Sequence, residues 1–324
     1  MIIVTGGAGF IGSNIIDELN KQGLSKILVV DNLSNKYKFY NLSKCQIIDF
    51  LDVKDFVSLI ENNKINGKEI EYIFHQGACS DTTNWNLNYV MSKNFNFSKQ
   101  ILHWSQVNKI PLVYASSASV YGNGKDGFSE DLMDIKTLNP YAFSKLLFDK
   151  YVYANSDKIN SQVVGLRYFN VYGPGEFHKN NMASVLFKFF NQIKENNTIR
   201  LFGKSHNCNA GEQSRDFVHV SDCVKVNLWF YQNQNFSGCF NVGTGISRTF
   251  NDLAKIFLNK HKSAKLSYIP FPENLSDSYQ SFTQADLTKL KMIGYQEDFF
   301  SLEDGAKSYL NFLNSHKQKF NNID

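Results

Sequence analysis

Tyr141 and Lys145 stand four residues apart, 24 residues after Ser117 in Ala115-Ser-Ser-Ala-Ser-Val-Tyr-Gly122. A phenol beside an ammonium, with a hydroxyl in reach, can move a proton on and off an alcohol. That is the proton half of carbinol–ketone chemistry; the hydride half needs a nicotinamide. Spacing alone does not single the pair out, because Tyr-x-x-x-Lys recurs at Tyr40/Lys44, Tyr89/Lys93 and Tyr121/Lys125. The surroundings do. Asn139-Pro140 precedes Tyr141, and proline suits a helix start because its missing N–H would go unpaired there. The periodicity predicts a helix from Tyr141 to about Asn155, with Phe143, Leu146, Leu147, Tyr151 and Val152 as its apolar stripe. Residues i and i+4 share a face, so phenol and ammonium project together. A free tyrosine has a pKa of about 10, and a shift of about three units toward phenolate needs roughly 4 kcal/mol. Lys145 and a positive nicotinamide ring are expected to supply it. The alternative is a half-buried tyrosine beside an exposed lysine, which is the reading given to the other three copies.

The elements that must position this pair follow from the same sequence. Met1-Ile-Ile-Val4 is an apolar run suited to a buried parallel strand. Thr5-Gly-Gly-Ala-Gly-Phe-Ile-Gly12 follows, and then a helical pattern over Ser13–Gly23. Gly6, Gly9 and Gly12 allow a tight turn, close approach to a pyrophosphate and close packing of the helix, whose N-terminus offers free N–H groups. The alternative is a glycine turn that binds nothing. A second strand, Ile27–Val30, ends at Asp31, where a carboxylate would take the ribose hydroxyls of NAD. Lys36 and Lys38 just beyond would instead pair with the 2′-phosphate of NADP, so both cofactors stay open. Asp49–Val53, after a third strand, is placed near the adenine. Ile70–His75 and Leu112–Ala115 are further strands, with Gln76-Gly-Ala-Cys-Ser80 as a loop over the cofactor and Ser117 at a strand's carboxyl end. Alternation through Val163–Tyr168 predicts an α/β fold with a doubly wound parallel (Rossmann) sheet.

At 324 residues the chain has room for this lobe and a smaller mixed α/β substrate lobe. The expected division is 1–169 with about 214–237 for the dinucleotide, and about 170–213 with 238–324 for the substrate. Met182–Glu195 reads as a helix of the smaller lobe, Val218–Tyr231 as a return to the larger, and Asp277–Gln284 as a loop closing over the ligand. Apolar content of 43%, charged content of 20% and a net charge of +4 without a basic block argue against a nucleic-acid partner. No run approaches the roughly 18 apolar residues of a membrane span, and no signal peptide is read. A cytoplasmic protein is expected. Cys45, Cys79, Cys208, Cys223 and Cys239 form no C-x-x-C, and no metal spacing involves them or the histidines. Cys79 reads as a small packing residue, with a reactive thiol as the alternative.

Gly6–Gly12, Ser117, Tyr141 and Lys145 together resemble the extended short-chain dehydrogenases/reductases. Val29-Val-Asp-Asn-Leu33, Phe74-His-Gln-Gly-Ala-Cys-Ser80, Leu166-Arg-Tyr-Phe-Asn-Val-Tyr-Gly-Pro174, Arg215-Asp-Phe-Val218 and Phe282-Thr-Gln-Ala-Asp-Leu287 narrow the likeness. It is then to the ADP-L-glycero-D-manno-heptose 6-epimerase family, from Met1 to about residue 315. The resemblance implies redox-neutral inversion at C6 of an ADP-heptose through a 6-keto sugar, with NADP as cofactor (NAD the alternative) and a homo-oligomer, in that family a pentamer. It implies a second acid/base at Lys179 in Gly175-Glu-Phe-His-Lys179; by itself that lysine would read as a solvated loop charge. It implies cofactor contacts at Phe10, Ile11, Asp31, Asn32, Lys38, Gln76, Gly77, Ala78, Cys79, Ser80, Lys145, Val171 and Lys179. Substrate contacts are implied at Ser117, Asn170, Phe202, Gly203, Lys204, Ser205, Arg215 and Tyr279. A guanidinium at Arg215 would grip a diphosphate in bidentate fashion, the alternative being a structural pair with Asp216 or another acid.

The chain also departs from the family pattern. Val53 stands where a cofactor lysine is expected, with Lys54 next to it; Lys93 replaces an asparagine, with Asn94 adjacent as the candidate contact. Asn181 replaces a serine and Lys188 a histidine at substrate places, and Ser205–Ser214 is longer than the pattern. Rival readings are an epimerase of another nucleotide sugar, such as a UDP-hexose 4-epimerase, and a non-catalytic nucleotide-binding scaffold. A 4,6-dehydratase fits less well, since Ala118 and Ser119 stand where elimination wants an acidic pair.

Overall fold

A computed structural model describes residues 1–273 and 279–316. Asp277 and Ser278 of the expected closing loop lie outside these, as do residues 317–324 of the expected second lobe. The strands are β1 (Ile2–Thr5), β2 (Ile27–Asp31), β3 (Asp49–Asp52), β4 (Tyr72–His75), β5 (Leu112–Ser117), β6 (Val163–Tyr168), β7 (Asn170–Tyr172), β8 (Thr198–Phe202), β9 (Ser214–His219), β10 (Gly238–Val242), β11 (Ser247–Thr249) and β12 (Lys265–Ile269). The helices are α1 (Phe10–Lys21), α2 (Lys38–Leu42), α3 (Val53–Glu61), α4 (Leu87–Met91), α5 (Phe97–Val107), α6 (Pro140–Ala154), α7 (Val185–Asn196), α8 (Val220–Gln232), α9 (Phe250–Lys260), α10 (Thr288–Met292) and α11 (Leu302–Ser315).

Seven strands form one parallel sheet in the order β10-β6-β5-β4-β1-β2-β3. Every residue of β1, β2, β4 and β6 is buried, as continuous apolar strands covered on both faces by helices should be. Order reverses beside β1, so the carboxyl ends of β1 and β4 flank the crevice where such sheets bind ligands. A separate core of Tyr172, Leu186, Phe189, Leu201, Phe257 and Tyr309, among others, builds the smaller lobe. That lobe carries a three-stranded β11-β9-β7 sheet and a two-stranded β12-β8 sheet.

Several boundaries differ from expectation. Residues 49–52 are themselves the third strand, where the sequence suggested a segment after it. Their charged ends and exposed face suit the edge of the sheet. β10 is the opposite edge strand, paired with β6, so the larger lobe takes in residues that the expected division at 237 gave to the smaller one. Ala285, Leu287, Leu290 and Tyr295 join the same large core. Residues 214–219 form β9 of the small sheet, and only from Val220 does α8 return to pack beside α1.

The turn between β1 and α1 is closed by contacts that leave no room for a side chain. Gly6 has φ +66, and a Cβ there would lie 2.6 Å from the Gly77 nitrogen; one on Gly12 would lie 2.3 Å from the Gly6 oxygen. Gly6→Ala therefore combines a left-handed backbone with a backbone clash. It should lower stability by about 2 kcal/mol, read as a lower urea midpoint; an unchanged midpoint would contradict this packing.

Candidate active site

The helix that bears Tyr141 is set by its first turn. The Asn139 side chain accepts from the Ala142 N–H at 2.9 Å, and Pro140 takes the first helical position. The buried face of α6 keeps Leu146 and Val152 of the predicted stripe but not Phe143, which is exposed; Ser144, Lys145, Phe148 and Asp149 are buried beside them. Tyr141, Lys145 and Asp149 thus line one face at i, i+4 and i+8, turned toward the carboxyl end of β5. Lys145 Nζ donates to the Ala115 carbonyl at 2.7 Å. The Ser117 hydroxyl accepts from Ser119 N at 3.2 Å and Ser119 Oγ at 2.9 Å, and it acts on the Tyr141 phenol.

Burial raises the Tyr141 phenol above its ordinary value; the Ser117 hydroxyl pulls it back, and Cys79 opposes that. The expected downward pull of Lys145 is not seen. Lys145 itself is lowered to about 8, by burial first, with Asp149 and Cys79 acting against it. A proton on a hydroxyl held between Ser117 and Tyr141 would have an acceptor, and the acceptor would have a cation behind it.

The glycine turn and the end of β2 form a connected surface. The Ala8 N–H donates to Asp31 Oδ2 at 2.9 Å, while Lys38 Nζ donates to Asp31 Oδ1 at 2.8 Å and to the Asn32 carbonyl at 2.9 Å. Asp31 and Lys38, expected as alternative contacts, form one ion pair here. No side chain caps the start of α1, which leaves its first N–H groups available to phosphate oxygens. Phe10 and Ile11 open that helix.

The loop Gln76–Ser80 is held from two sides, and two predicted contacts are used in holding it. Gln76 accepts from Tyr168 Oη at 3.1 Å and donates to Asn227 at 3.2 Å, while Gly77 N–H donates to Thr5 Oγ1 at 3.2 Å. Asn94 accepts from Cys79 N–H at 2.8 Å and donates to the Cys79 carbonyl at 3.1 Å and Ser144 Oγ at 2.9 Å. It is 1% exposed and lies in a π-helical turn over Ser92–Asn96. Both side chains therefore brace the loop, leaving Ala78, Cys79 and Ser80 as its outer residues.

Lys179 lies in a 3-10 turn over Phe177–Met182 that is fastened to the glycine turn. Asn41 donates to the carbonyls of Ala8 at 3.2 Å and Gly175 at 3.0 Å, and Asn14 to that of Pro174 at 2.8 Å. Lys179 Nζ lies 5.5 Å from the centre of the Phe10 ring. Burial lowers its pKa, Glu176 raises it and Lys188 lowers it further, so it is a buried amine and not a solvated loop charge. Asn14 and Asn41 were missed from sequence; Asn14 had the signal of an amide next to the glycine motif, and Asn41, far along the chain, had none. Val171 is half-buried on β7, and Asn170 there accepts from Thr283 at 3.3 Å; Asn181 and Lys188 are exposed.

Arg215 is buried without a carboxylate at ion-pair distance among the described residues. Asp216, the alternative partner, instead accepts from Thr244 N–H and Oγ1, each at 2.7 Å, and from Gly245 and Ala285 N–H, each at 2.9 Å. The guanidinium donates to the Ser214 carbonyl at 2.9 Å and lies 4.8 Å from the Tyr279 ring centre. Tyr279 packs with Phe202 at 6.4 Å, Phe271 at 5.0 Å and His206 at 5.5 Å. His206 and Asn207, both at positive φ, turn the longer loop back on itself between Ser205 and Cys208. Phe271 and His206 were absent from the predicted contacts. Gly203 and Ser205 are tied down by Gln213, at 3.0 and 2.8 Å, whereas Lys204 is exposed. A cavity of about 610 Å³ lined by Phe217, Arg248, Tyr295 and Phe300 includes none of Ser117, Tyr141, Lys145, Lys179 and Arg215; converging polar groups, not size, mark the site. No group of His, Cys, Asp or Glu among the described residues could hold a metal ion, and no described helix is long and apolar enough to cross a membrane.

Comparison with known proteins gives a consistent picture. The NAD dependent epimerase/dehydratase family matches residues 2–243. ADP-L-glycero-D-manno-heptose-6-epimerase of Alkalilimnicola ehrlichii is 49% identical over 310 residues, covering 96% of each chain. That of Brachyspira hyodysenteriae is 50% identical over 315 residues, covering 97% of this chain and 98% of its own. The crystal structure of the Helicobacter pylori enzyme of that name superposes with a TM-score of 0.83 at 31% identity, covering 97% of this chain and 96% of its own. UDP-glucose 4-epimerase of Thermotoga maritima, with UDP-glucose, gives 0.82 at 27% identity, covering 98% and 99%.

The lowered Lys145 makes a pH-dependent prediction. Below about pH 8 folded and unfolded chains both carry the proton, and the folded state bears the full cost of burying it. Between about 8 and 10.5 the unfolded state holds more protons, so stability rises with pH. The total is roughly 3 kcal/mol at about 1.4 kcal/mol per unit. Cofactor-free wild type should therefore gain on Lys145→Met as pH rises from 7.5 to 9.5. A difference in thermal midpoint that stays constant over that range would contradict a buried, charged Lys145.

Proposed function

We infer the reaction from the premise that this chain belongs to the NAD dependent epimerase/dehydratase family, among the ADP-L-glycero-D-manno-heptose 6-epimerases. It is an isomerase that inverts C6 of ADP-D-glycero-D-manno-heptose, giving the L-glycero epimer for lipopolysaccharide core synthesis. The observation that carries the chemistry is the placement of Tyr141 and Lys145 on one face of α6, with Lys145 fastened to the Ala115 carbonyl of β5 and the Ser117 hydroxyl acting on the phenol.

A nicotinamide cofactor fits the residues present, because the glycine turn is packed so tightly that backbone alone can face a pyrophosphate. Gly6, Gly9, Phe10, Ile11 and Gly12 would hold the phosphates, Asp31, Asn32 and Lys38 the adenosine ribose, and Ala78, Cys79, Ser80 and Val171 the remainder. When bound, it accepts the C6 hydride and returns it. Ser117 holds the C6 hydroxyl, and Tyr141 takes its proton. Lys145 would hold the nicotinamide ribose and, with the bound cofactor, would favour the phenolate. The resulting 6-keto sugar presents its other face, and Lys179, with its lowered pKa, delivers the proton there. Arg215 grips the diphosphate. The rings of Tyr279 and Phe202 flank the nucleotide, and Asn170, Asn181, Lys188 and Gly203–Ser205 surround the sugar end.

We read the cofactor as NADP. Lys38, on the Asp31 carboxylate at 2.8 Å, brings a positive charge to the place where a 2′-phosphate would otherwise meet a bare anion. The mass of nucleotide released on denaturation should be that of NADP; NAD would overturn this assignment. The seven-stranded lobe is read as the cofactor lobe and the smaller one as the substrate lobe. The assembly is read as a homo-oligomer, a pentamer by family resemblance, in the cytoplasm.

Purified protein incubated with ADP-D-glycero-D-manno-heptose, without added cofactor, should form the L-glycero epimer by NMR. UDP-glucose should remain unchanged; its conversion in place of the heptose would favour a UDP-hexose 4-epimerase. Lys179→Met should lower kcat by about 10²-fold or more while the cofactor stays bound. Full turnover by that variant would remove the second-base role.

A further inference from the structure

We propose that Asp149 is a positioning residue for this reaction: locked to Arg167 of the sheet, it sets the place and the charge of Lys145 one helical turn before it. This rests on the reading of Lys145 as part of the reacting centre. Asp149 and Arg167 are wholly buried, with Nε and Oδ2 2.9 Å apart. Tyr114 Oη donates to Asp149 Oδ1 at 3.0 Å, and Ser116 Oγ to Oδ2 at 2.9 Å. One carboxylate on α6 is therefore bound to two residues of β5 and one of β6. Arg167 also donates to Tyr121 Oη at 3.0 Å and the Glu130 carbonyl at 3.3 Å. Tyr121 closes the short turn that begins at Ser117.

The geometry leaves α6 little freedom to slide or roll on the sheet. Asp149 grips the side chain of Ser116, and Lys145 grips the Ala115 carbonyl. Tyr141, two turns before Asp149, then meets Ser117. A shift of one ångström at Asp149 would be carried along the helix to the phenol.

Stability alone is a weak reason for such a pair, since apolar side chains of similar volume often stabilise a core as well as a buried ion pair does. What apolar side chains would not provide is a negative charge behind Lys145. The groups acting on Lys145 come from its own helix and from β4 with the loop after it. Asp149 and Cys79 favour its charged form against burial, and His75, its ring between Thr5 and Ser98, is buried and neutral. Tyr141 completes the surround.

The test compares wild type with Asp149→Asn and with the charge-balanced double variant Asp149→Leu/Arg167→Met, which strands no buried arginine. Lysine 13Cε NMR, with the Lys145 signal identified by its loss in Lys145→Met, follows the titration of the amine without any substrate. The Lys145 titration should move down by roughly one unit or more in both variants. In the heptose assay kcat should fall at least tenfold, its alkaline limb should move to lower pH, and KM and bound nucleotide should be retained. A titration unmoved in the double variant would overturn the proposal, as would an unchanged kcat and pH profile. Should wild type fail to epimerise the heptose, the proposed function fails, and the NMR titration still decides the role of Asp149.

Discussion

Much of the architecture depends on how one helix is seated on one strand. The face of α6 that carries Tyr141, Lys145 and Asp149 lies against the carboxyl end of β5, where the Ala115 carbonyl and the Ser116 and Ser117 hydroxyls meet it. A phenol near neutral is a poor base, and burial makes it poorer still. Proton removal therefore needs a cation held close behind it, and the cation is itself disfavoured by burial. The Asp149–Arg167 pair offsets part of that conflict from behind the helix. Three titratable groups at helical spacing thus share one buried face, and Asp149 favours the charged form of Lys145 against burial.

The rest of the fold brings two other surfaces to that unit. The loop after β4 is held by Asn94, whose amide reaches both Cys79 and Ser144 of α6. The cofactor loop and the catalytic helix therefore share one brace, placed at a π-helical turn of the kind often found at functional sites. On the other side, Glu176 accepts from Gly173 N–H at 3.2 Å and Ser184 Oγ at 2.7 Å, and also from Ser184 N–H. It closes the segment that bears Lys179, while Asn14 and Asn41 fasten that segment to the glycine turn. Lys179 owes its lowered pKa to this seating.

What could be read in the sequence was local. The strand, glycine turn and helix of the first motif, the Asn139-Pro140 start of α6 and the apolar strands all declare themselves through short-range pattern. The inward face of α6 did not. Apolar periodicity chose Phe143, yet the buried face includes Ser144, Lys145 and Asp149, because a catalytic face is polar and is buried by pairing. For the same reason the sequence did not show that the amides of Gln76 and Asn94 brace the loop, or that Asp31 and Lys38 pair with each other. Long-range pairing hid β10, which joins the sheet more than 65 residues after its neighbour β6. His206 joined the Tyr279 cluster across a similar distance, which no spacing rule reveals.

The central claim is that inversion removes and returns the same hydride while protons pass at oxygen. Turnover of ADP-D-glycero-D-manno-heptose in deuterium oxide, with no added nucleotide, tests it most directly. The L-glycero product should keep protium at C6, with deuterium only at exchangeable hydroxyls. Deuterium on C6 of the product would show that the hydrogen leaves as a proton, and would contradict the account.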